Sequence, residues 1–363
     1  MGFSLVKTGS FRNLLDQTVA IDGSNILLTG ENGQGKSNFL ELIYILCFGS
    51  SFRTRQDSLF IRHGESEVTL FGKFSTEQSG NNTISYQLKH KKKQIRLNGK
   101  PIHDRKELLQ NIPSIVFTHD DISFINGAPE RRRWLYNQIM STYDPLFIDY
   151  LRRYNKVLKL RNAALKDENL SVIEILDIQL AEAGREIQQR RESAVHEFNM
   201  TFSPLMKEIS GIGSTISIKY VPSWKECSST EGIIDILRTQ YNRDSMAGLT
   251  TTGPHRDRFE YVLDGYDFSK IASTGQLRLI SLIMRITQAL FYIKKTSRKP
   301  ILLLDDVLLE LDPGKREKFF SFLPEYEQAF FTFLPGEHVY KNLQKDVIIY
   351  TVKGGAIQKN EAG

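Results

Sequence analysis

An eight-residue segment, GENGQGKS from Gly30 to Ser37, matches the phosphate-binding pattern GxxxxGK[ST]. The glycines of such a loop let successive backbone N–H groups turn toward phosphate oxygens, and the following helix N-terminus adds partial positive charge. Lys36 would then reach the outer phosphates, and the Ser37 hydroxyl would bind Mg²⁺. The predicted nucleotide-binding residues here are Gly30, Glu31, Asn32, Gly33, Gln34, Gly35, Lys36, Ser37 and Asn38.

A second motif, which is acidic, supplies the further metal ligand that a phosphate-binding loop needs beside it. In ILLLDD, four apolar residues of a strand deliver Asp305 to the carboxyl end of the predicted sheet, where it would bind the metal ion. Asp306 points differently and is the predicted catalytic base for an attacking water. Taken alone, the motif is equally typical of a buried strand that ends in acidic loop residues.

A second helix start is suited to anions. In ASTGQLRLIS, Ser273, Gly275 and Gln276 would offer N–H groups, a hydroxyl and bare backbone to an oxyanion. The alternative is a plain serine N-cap, which an isolated STGQ favours. Asp312, followed by Pro313, is likewise an expected N-cap, and this role does not exclude nucleotide contact.

The elements that must position these residues follow from periodicity. Ile26–Leu28 predicts a short buried strand before the glycine loop, and Phe39, Ile43 and Leu46 repeat at helical spacing until Gly49. EVTLFGKF and TISYQLKHKKKQIRLNGKPI alternate as strands do, with a hairpin signal at Asn98-Gly99. The first third is therefore predicted to be α/β with added hairpins.

The middle of the chain has helical periodicity. One apolar stripe of a long amphipathic helix consists of Leu176, Leu180, Ala183, Ile187, Ala194 and Phe198. Heptads are not sustained over many turns, so we do not expect an extended coiled-coil arm. We predict an inserted helical lobe over residues 123–204, with residues 1–122 and 205–363 forming the α/β ATPase lobe.

Composition narrows the class of protein. The 363 residues are 40% hydrophobic and 25% charged, as in folded soluble proteins, and the net charge of +6 permits a nucleic-acid partner without requiring one. The two cysteines lie outside any CxxC pattern, which argues against disulfide and zinc scaffolds. Apolar runs are short or interrupted by Arg285, so we expect a cytoplasmic protein without a membrane partner.

The order of these motifs resembles the ATP-binding-cassette head of the SMC family. Longer stretches resemble its RecF branch, the bacterial recombination mediators, from Phe11 to Thr332: FRNLL, GENGQGKSNFLELIYILCFGSSFRTR, FTHDDISFINGAPERRRWLYNQI, GPHRDRFEYVLDG, ASTGQLRLISL and LLLDDVLLELDPGKR. The resemblance implies an ABC/SMC-type P-loop ATPase head with a helical second lobe.

What the resemblance implies about function is an ATP-gated DNA-binding protein. It would bind ATP with Mg²⁺, form a homodimer around two nucleotides, hold gapped or duplex DNA, and release it by slow, DNA-stimulated hydrolysis. Ser273, Gly275 and Gln276 would contact the γ-phosphate held by the partner's P-loop, with Asp312 nearby. The protein would act with RecR and RecO and assist the loading of RecA.

Three positions depart from or complete the family pattern. His119 stands where a proline is usual, although Asp120 and Asp121 keep carboxylates where related heads sense the metal-bound phosphate, so Asp120 is a predicted metal ligand. Leu309 replaces a serine expected at the dimer seam. Thr332 lies where transporter cassettes carry a switch histidine.

The surface that would face DNA is less defined. Candidate phosphate contacts are Lys89, Lys91, Lys92, Lys93, Arg131, Arg132, Arg133, Arg152, Arg153 and Arg161, although such clusters are more often solvated faces. His255, Arg256 and Asp257 are expected to have a structural or relay role near the nucleotide. Two other hypotheses stay open at this point: a small-molecule P-loop kinase, which leaves STGQ without a role, and a transporter ATPase, which lacks its switch histidine.

Overall fold

The chain divides into two units, one of which is assembled from both ends of the sequence. The computed structural model describes residues 2–76, 80–167, 169–211, 213–225, 227, 229–308, 311–337 and 347–360. Residues 1–119 and 288–363 form the first unit, and residues 120–287 form the second. The predicted boundary near residue 122 lies close to this division, but residues 205–287 belong to the second unit. The long helix continues past residue 204 to Ser210, and the strand after it packs on it.

Within the described ranges, the first unit contains two sheets and three α-helices of its own. Its elements are β1 Gly2–Gly9, β2 Gln17–Ala20, β3 Asn25–Thr29, α1 Lys36–Phe48, β4 Glu67–Ser75, β5 Asn81–Lys89, β6 Lys92–Leu97, β7 Lys100–Pro101, α2 Arg105–Asn111, β8 Ser114–Phe117, β12 Ile301–Leu304, α11 Pro313–Ser321, β13 Gln328–Phe333, β14 Val347–Lys353 and β15 Ala356–Lys359. The expected strand before the glycine loop and the helix after it are confirmed, and Gly49 ends α1 with φ 72°.

One sheet of this unit has the order β15-β14-β3-β13-β12-β8. From β14 to β8 neighbouring strands are parallel, and β15 adds an antiparallel edge. Strands β12 and β13 are buried along their whole length, which accounts for the unbroken apolar run ILLL. The carboxyl ends of β3, β12 and β13 therefore meet at one edge of the sheet.

The other sheet of the first unit is antiparallel, in the order β2-β1-β4-β5-β6-β7. Its residues alternate between buried and exposed, so one face is packed and the other is open to solvent. Tight turns join β5 to β6 at His90-Lys91 and β6 to β7 at Asn98-Gly99, where every φ is positive. Helix α1 contacts strands of both sheets, and this explains why its residues from Phe39 onward are buried on every side.

The second unit is mainly helical. Its elements are α3 Ser123–Asn126, α4 Pro129–Tyr143, α5 Pro145–Lys166, α6 Leu170–Ser210, β9 Ile216–Val221, α7 Thr230–Thr239, α8 Tyr241–Ala247, β10 Arg258–Leu263, β11 Tyr266–Asp267 and α9 Phe268–Ile271, and α10 Thr274–Thr296 runs across the unit boundary. A three-stranded antiparallel sheet, β11-β10-β9, completes it. The six predicted stripe residues of α6 are all buried, which confirms that helix and its inward face.

A buried ion network crosses the helical core of the second unit. The guanidinium of Arg161 on α5 donates to Asp177 on α6 at 2.5 Å and to Asp244 on α8 at 2.6 Å, and neither Arg161 nor Asp244 exposes any side-chain surface. Burial raises the pKa of Asp177, and Arg161 acts in the opposite direction. Three helices are therefore joined by one fully desolvated cation.

Both cysteines are free. Within the part of the chain that the structure describes, no helix has both the length and the apolar character that crossing a bilayer requires.

Candidate nucleotide-binding site

The predicted chemistry of the first unit gathers at one edge of its parallel sheet. The glycine loop follows β3, Asp305 and Asp306 follow β12, and Thr332 lies near the end of β13. Because these strands are parallel neighbours, their carboxyl ends bring the three groups together. The fold thus confirms the predicted setting of the glycine loop between a buried strand and a helix.

The loop takes a conformation that only glycine accommodates at two points. Gly35 has φ 117°, and a Cβ there would lie 2.7 Å from the Leu14 side chain. A Cβ on Gly30 would lie 2.3 Å from the backbone oxygen of Val352. Lys36 is buried, and its Nζ donates to the carbonyl oxygens of Gly30 at 2.6 Å and Glu31 at 3.2 Å. The lysine is thus held beside the loop by two carbonyl oxygens, whose place phosphate oxygens would take in a nucleotide complex.

Side chains outside the motif brace the loop. Asn13 Nδ2 donates to the carbonyl oxygen of Gly33 at 2.8 Å, and Asn38 Nδ2 donates to Asn13 Oδ1 at 2.6 Å. On the other side, Gln34 Oε1 accepts from the Gly354 N–H at 2.6 Å. Gln34 and Asn38, both predicted nucleotide contacts, therefore have side chains engaged in holding the loop. Asn13 was not predicted, because the segment FRNLL gives no local sign that it packs against the phosphate loop.

The two predicted metal ligands of the first unit are in direct contact. The Ser37 hydroxyl donates to Asp305 Oδ1 at 2.7 Å. Burial raises the pKa of Asp305, while the hydrogen bond from Ser37 lowers it and the neighbouring Asp306 carboxylate raises it further. Residues 268 positions apart in sequence thus form one cluster of oxygen ligands.

This cluster fits Mg²⁺. A hydroxyl and a carboxylate are the hard oxygen ligands that the ion prefers, and Mg²⁺ is commonly bound by one or two protein ligands together with substrate phosphates. Among the described residues, no three histidine, cysteine or acidic side chains gather into a self-sufficient metal site. Ser37 and Asp305 would hold the ion against the phosphates of a bound nucleotide.

Asp306 has an unusual backbone conformation, with φ 52°. Its N–H donates to Thr332 Oγ1 at 2.8 Å, and the same hydroxyl donates to Asp306 Oδ1 at 2.8 Å. Thr332 is buried at 2% exposure and therefore contributes this hydroxyl from a fixed position in β13. The contact was not predicted, since only strand pairing reveals that the two residues are neighbours.

The STGQ segment begins α10 in the second unit as an N-terminal capping box. Gln276 N–H donates to Ser273 Oγ at 3.3 Å, and Ser273 N–H donates to Gln276 Oε1 at 2.8 Å. Both side chains are exposed, as are Thr274 and Gly275. Ser273 is therefore an N-cap, as the alternative interpretation expected. The segment is exposed, and its contact with a partner's nucleotide stays a prediction.

The remaining predicted site residues include a helix cap and an exposed carboxylate. Asp312 caps α11 by accepting from the Lys315 N–H at 3.0 Å, and the hydrogen bond from the Lys315 side chain lowers its pKa. Asp120 is exposed and stays a predicted metal ligand. Its neighbour Asp121 is buried in an ion pair with Arg285 of α10 at 2.6 Å. Leu309 lies outside the described residues.

Two candidate DNA contacts, Arg161 and Arg133, are wrong because both are buried. Arg161 is fully buried in the ion network, and Arg133 is buried and donates to the Asp257 carbonyl oxygen at 2.8 Å. Lys93 is exposed and stays a predicted DNA contact, although its Nζ also donates to the Gly49 carbonyl oxygen and to Asp57. A run of basic residues on a helix does not reveal which of them face acids or carbonyls of other elements.

The HRD segment is part of the buried structure of the second unit. His255 Nδ1 lies 2.7 Å from the Tyr154 hydroxyl, and burial lowers the pKa of His255 to about 4. Asp257 is fully buried, pairs with Arg191 at 2.7 Å, and also accepts from Tyr220. These contacts give His255 and Asp257 a structural role, joining the loop before β10 to α5 and α6.

Comparison with known proteins adds an independent finding. Residues 4–358 match the family described as RecF/RecN/SMC N terminal domain. The chain belongs to this family. The RecF/RecN/SMC assignment covers nearly the whole sequence and both units, and it confirms the expected ABC/SMC-type ATPase head.

Relatives within the family are similar along most of their length. The DNA replication and repair protein RecF of Treponema pallidum is 39% identical over 353 residues, covering 96% of this chain and 98% of that protein. RecF of Leptospira interrogans serovar copenhageni is 32% identical, with 89% of each chain covered. The resemblance to RecF is therefore confirmed.

Solved structures agree on the architecture. A structure described as the recombination mediator protein RecF-ATP in the RecFOR pathway has a TM-score of 0.90 and 28% identity, covering 99% of this chain and 97% of that one. An Smc head bound to the C-terminal winged-helix domain of ScpA has a TM-score of 0.59 and 17% identity, covering 99% and 96%. The second likeness supports the fold alone.

Proposed function

We propose that this chain is an ATP-dependent DNA-binding ATPase of DNA replication and recombinational repair. The observation that carries the proposal is the 2.7 Å contact between Ser37 and Asp305, which unites the phosphate loop and the acidic strand into a site for Mg²⁺-ATP. The relatives named as DNA replication and repair proteins, and the ATP-bound RecF structure, support the same nucleotide and the same process.

Each residue of the site has a defined task in hydrolysis. The loop N–H groups and Lys36 bind the phosphate chain, with Lys36 exchanging the Gly30 and Glu31 carbonyl oxygens for phosphate oxygens. When bound, Mg²⁺ neutralises charge on the β- and γ-phosphates. Asp306 accepts a proton from the water that attacks the γ-phosphorus, the bond to the β–γ bridging oxygen breaks, and ADP and phosphate leave.

We further propose that ATP joins two copies of the chain. The exposed Ser273, Gly275 and Gln276 at the start of α10 would contact the γ-phosphate in the partner's loop, with Asp312 beside it. A shared γ-phosphate explains why hydrolysis would part the two copies and release DNA. Action with RecR and RecO, and assistance to RecA, are the finer parts of the proposal and rest on the RecFOR description of the neighbour.

The open face of the antiparallel sheet is the surface best suited to DNA. It carries Lys7 of β1, Lys73 of β4, Lys89 of β5, and Lys92 and Arg96 of β6, and we call these residues the basic face. Glu67, the one acid in the six strands, pairs with Lys89 at 2.9 Å.

Strand register supports this surface. Lys7 is opposite Phe71, Phe71 is opposite Ser85, and Ser85 is opposite Arg96, so Lys7 and Arg96 lie at the two ends of one cross-strand row on the same face of the sheet. A groove of about 550 Å³ lies at the Lys7 and Phe71 end of this row, and Asp16 also lines it. Such a surface fits a phosphate backbone and offers little base readout.

The proposal is tested by equilibrium binding to gapped and blunt duplex DNA, with and without Mg²⁺-ATP, at two salt concentrations. We expect ATP to raise DNA affinity by about 5–150-fold, the usual range of coupling between two sites. Lys36→Ala should lose ATP binding and this gain, while keeping ATP-independent affinity. A wild-type chain that binds no ATP, or whose DNA affinity ignores it, would refute the proposal.

A further inference from the structure

Thr332 has a polar contact that no motif explains. Its hydroxyl lies near the carboxyl end of β13, an inner strand of the parallel sheet, and the flanking residues Phe331 and Phe333 are apolar and buried. A buried hydroxyl needs partners, and this one uses Asp306, accepting from its N–H and donating to its Oδ1, each at 2.8 Å. The backbone N–H and the carboxylate of Asp306 are thus both hydrogen-bonded to a single side chain.

The geometry of Asp306 requires such a partner. With φ 52°, its backbone is in the left-handed region that non-glycine residues seldom occupy. The residue follows β12 directly after Asp305, so an ordinary extended conformation would continue the strand and direct the carboxylate elsewhere. The N–H bond to Thr332 holds the backbone in the turned conformation, and the bond to Oδ1 holds the carboxylate.

We infer that Thr332 is a positioning residue for hydrolysis, setting the orientation of the Asp306 carboxylate through this pair of hydrogen bonds. The inference rests on the proposed function and deepens it. With Oδ1 occupied by the threonine O–H, the other carboxylate oxygen is the one that can accept a proton from the attacking water. Thr332 also lies 3.4 Å from Asp305 Oδ1, so the same hydroxyl neighbours the metal-binding carboxylate without displacing its 2.7 Å bond to Ser37.

Threonine suits this position for reasons of packing as well as bonding. Its branched Cβ restricts χ1 in a strand, which fixes the direction of the hydroxyl, and its methyl group fills space in the sheet core. Valine has the same shape but no hydroxyl, and serine has the hydroxyl but no methyl group. The two substitutions therefore separate the hydrogen bonds from the packing.

The experiment compares Thr332→Val with Thr332→Ser in the full chain. We expect Thr332→Val to bind ATP within about threefold of wild type and to lower kcat by about 10–100-fold, as for loss of an oriented proton acceptor. Thr332→Ser should restore kcat to within about threefold of wild type, because it keeps both hydrogen bonds. A KM change of the same size as the kcat change would show a structural effect on the loop and overturn the inference.

A double-mutant cycle with Asp306→Asn isolates the coupling. If Thr332 acts through Asp306, Thr332→Val will lower kcat in the wild-type background and leave it unchanged in the Asp306→Asn background. Equal losses in both backgrounds would overturn the inference. Full turnover by Asp306→Asn itself would instead remove Asp306 as the base, which is a failure of the proposed function, and folding of each variant is checked by its thermal unfolding.

Discussion

The buried carboxylate of Asp305 is proposed to bind Mg²⁺, but its burial lowers the stability of the nucleotide-free protein. Burial raises its pKa, which means that the folded protein disfavours the carboxylate relative to the unfolded chain. The resulting penalty is absent below the pKa of the unfolded chain and is fully present once the pH exceeds the raised pKa of the folded state. At neutral pH, this residue therefore destabilises the protein unless a cation is bound beside it.

This conflict gives the first prediction. Asp305→Asn should raise the stability of the nucleotide-free protein by on the order of 1 kcal/mol, as substitutions at strained functional positions often do, while abolishing Mg²⁺-dependent ATP hydrolysis. Thermal unfolding at neutral and acidic pH checks it, with a gain of about 2–4 °C expected at neutral pH and a smaller gain in acid. A lower Tm at neutral pH would contradict the assignment of Asp305 as a buried acid whose desolvation outweighs its hydrogen bonds.

At the scale of single residues, the sequence was most informative where chemistry depends on local spacing. Gly30 to Ser37 and Asp305 could be placed because each motif contains its own strand and turn signals. The partners Asn13 and Thr332 could not be predicted, because they reach the site through strand pairing and loop return. Such contacts depend on the register of distant segments, which periodicity does not determine.

Between elements, the most consequential contact is the Arg161 network of the second unit. The Arg161 guanidinium joins α5 to α6 and α8. The sequence had suggested Arg161 as a DNA contact instead. The apolar stripe of α6 was predicted correctly because helical periodicity reports an inward face. Whether a basic residue lies on that inward side depends on acids from other helices, and these are far away in sequence.

The network gives a prediction with a control on the same helix. Arg161→Ala should destabilise the protein by about 3–5 kcal/mol, because Asp177 and Asp244 would stay buried without their cation. Arg153→Ala removes a pair with Glu182 whose side chains are 51% and 47% exposed, and it should cost at most about 1 kcal/mol. Urea unfolding of both variants measures the difference, and comparable losses would contradict the buried-network interpretation.

At the scale of the assembled molecule, Gly275 is a helical residue whose identity the contacts of the single chain do not explain. A Cβ at this position would have no atom within 4 Å, and the residue is exposed in the first turn of α10. Alanine is the better helix former by up to about 1 kcal/mol. The proposed contact with a partner's nucleotide would explain a glycine here, because it would bring another molecule close to the backbone.

We accordingly expect Gly275→Ala to leave the subunit at least as stable as wild type and to weaken ATP-dependent dimerisation. Ser273→Arg should bind ATP normally and remain monomeric, because a long side chain would occupy the same approach. Sedimentation with and without Mg²⁺-ATP, alongside thermal unfolding, tests both variants. Normal dimers of Ser273→Arg would rule out this helix start as the contact with the partner's nucleotide.

The basic face predicts how DNA affinity responds to salt. Lys92→Glu should weaken DNA binding irrespective of sequence and reduce the slope of log K against log salt by about 0.9 for each DNA phosphate that the variant no longer neutralises. Lys225→Glu makes the same charge change at an exposed position of the second unit outside the basic face. Titrations at several salt concentrations distinguish the two, and equal effects would indicate a general dependence on net charge.

The order of the strands along the chain also determines when the phosphate loop can fold during synthesis on the ribosome. The second unit is one continuous stretch, whereas β3, which leads into the phosphate loop, is flanked in its sheet by β13 and β14 from the last part of the sequence. A nascent chain that stops before Gln328 already contains the loop residues but lacks both neighbours of β3. Nucleotide capture is therefore among the last properties to appear during synthesis, and a prematurely terminated product would lack it.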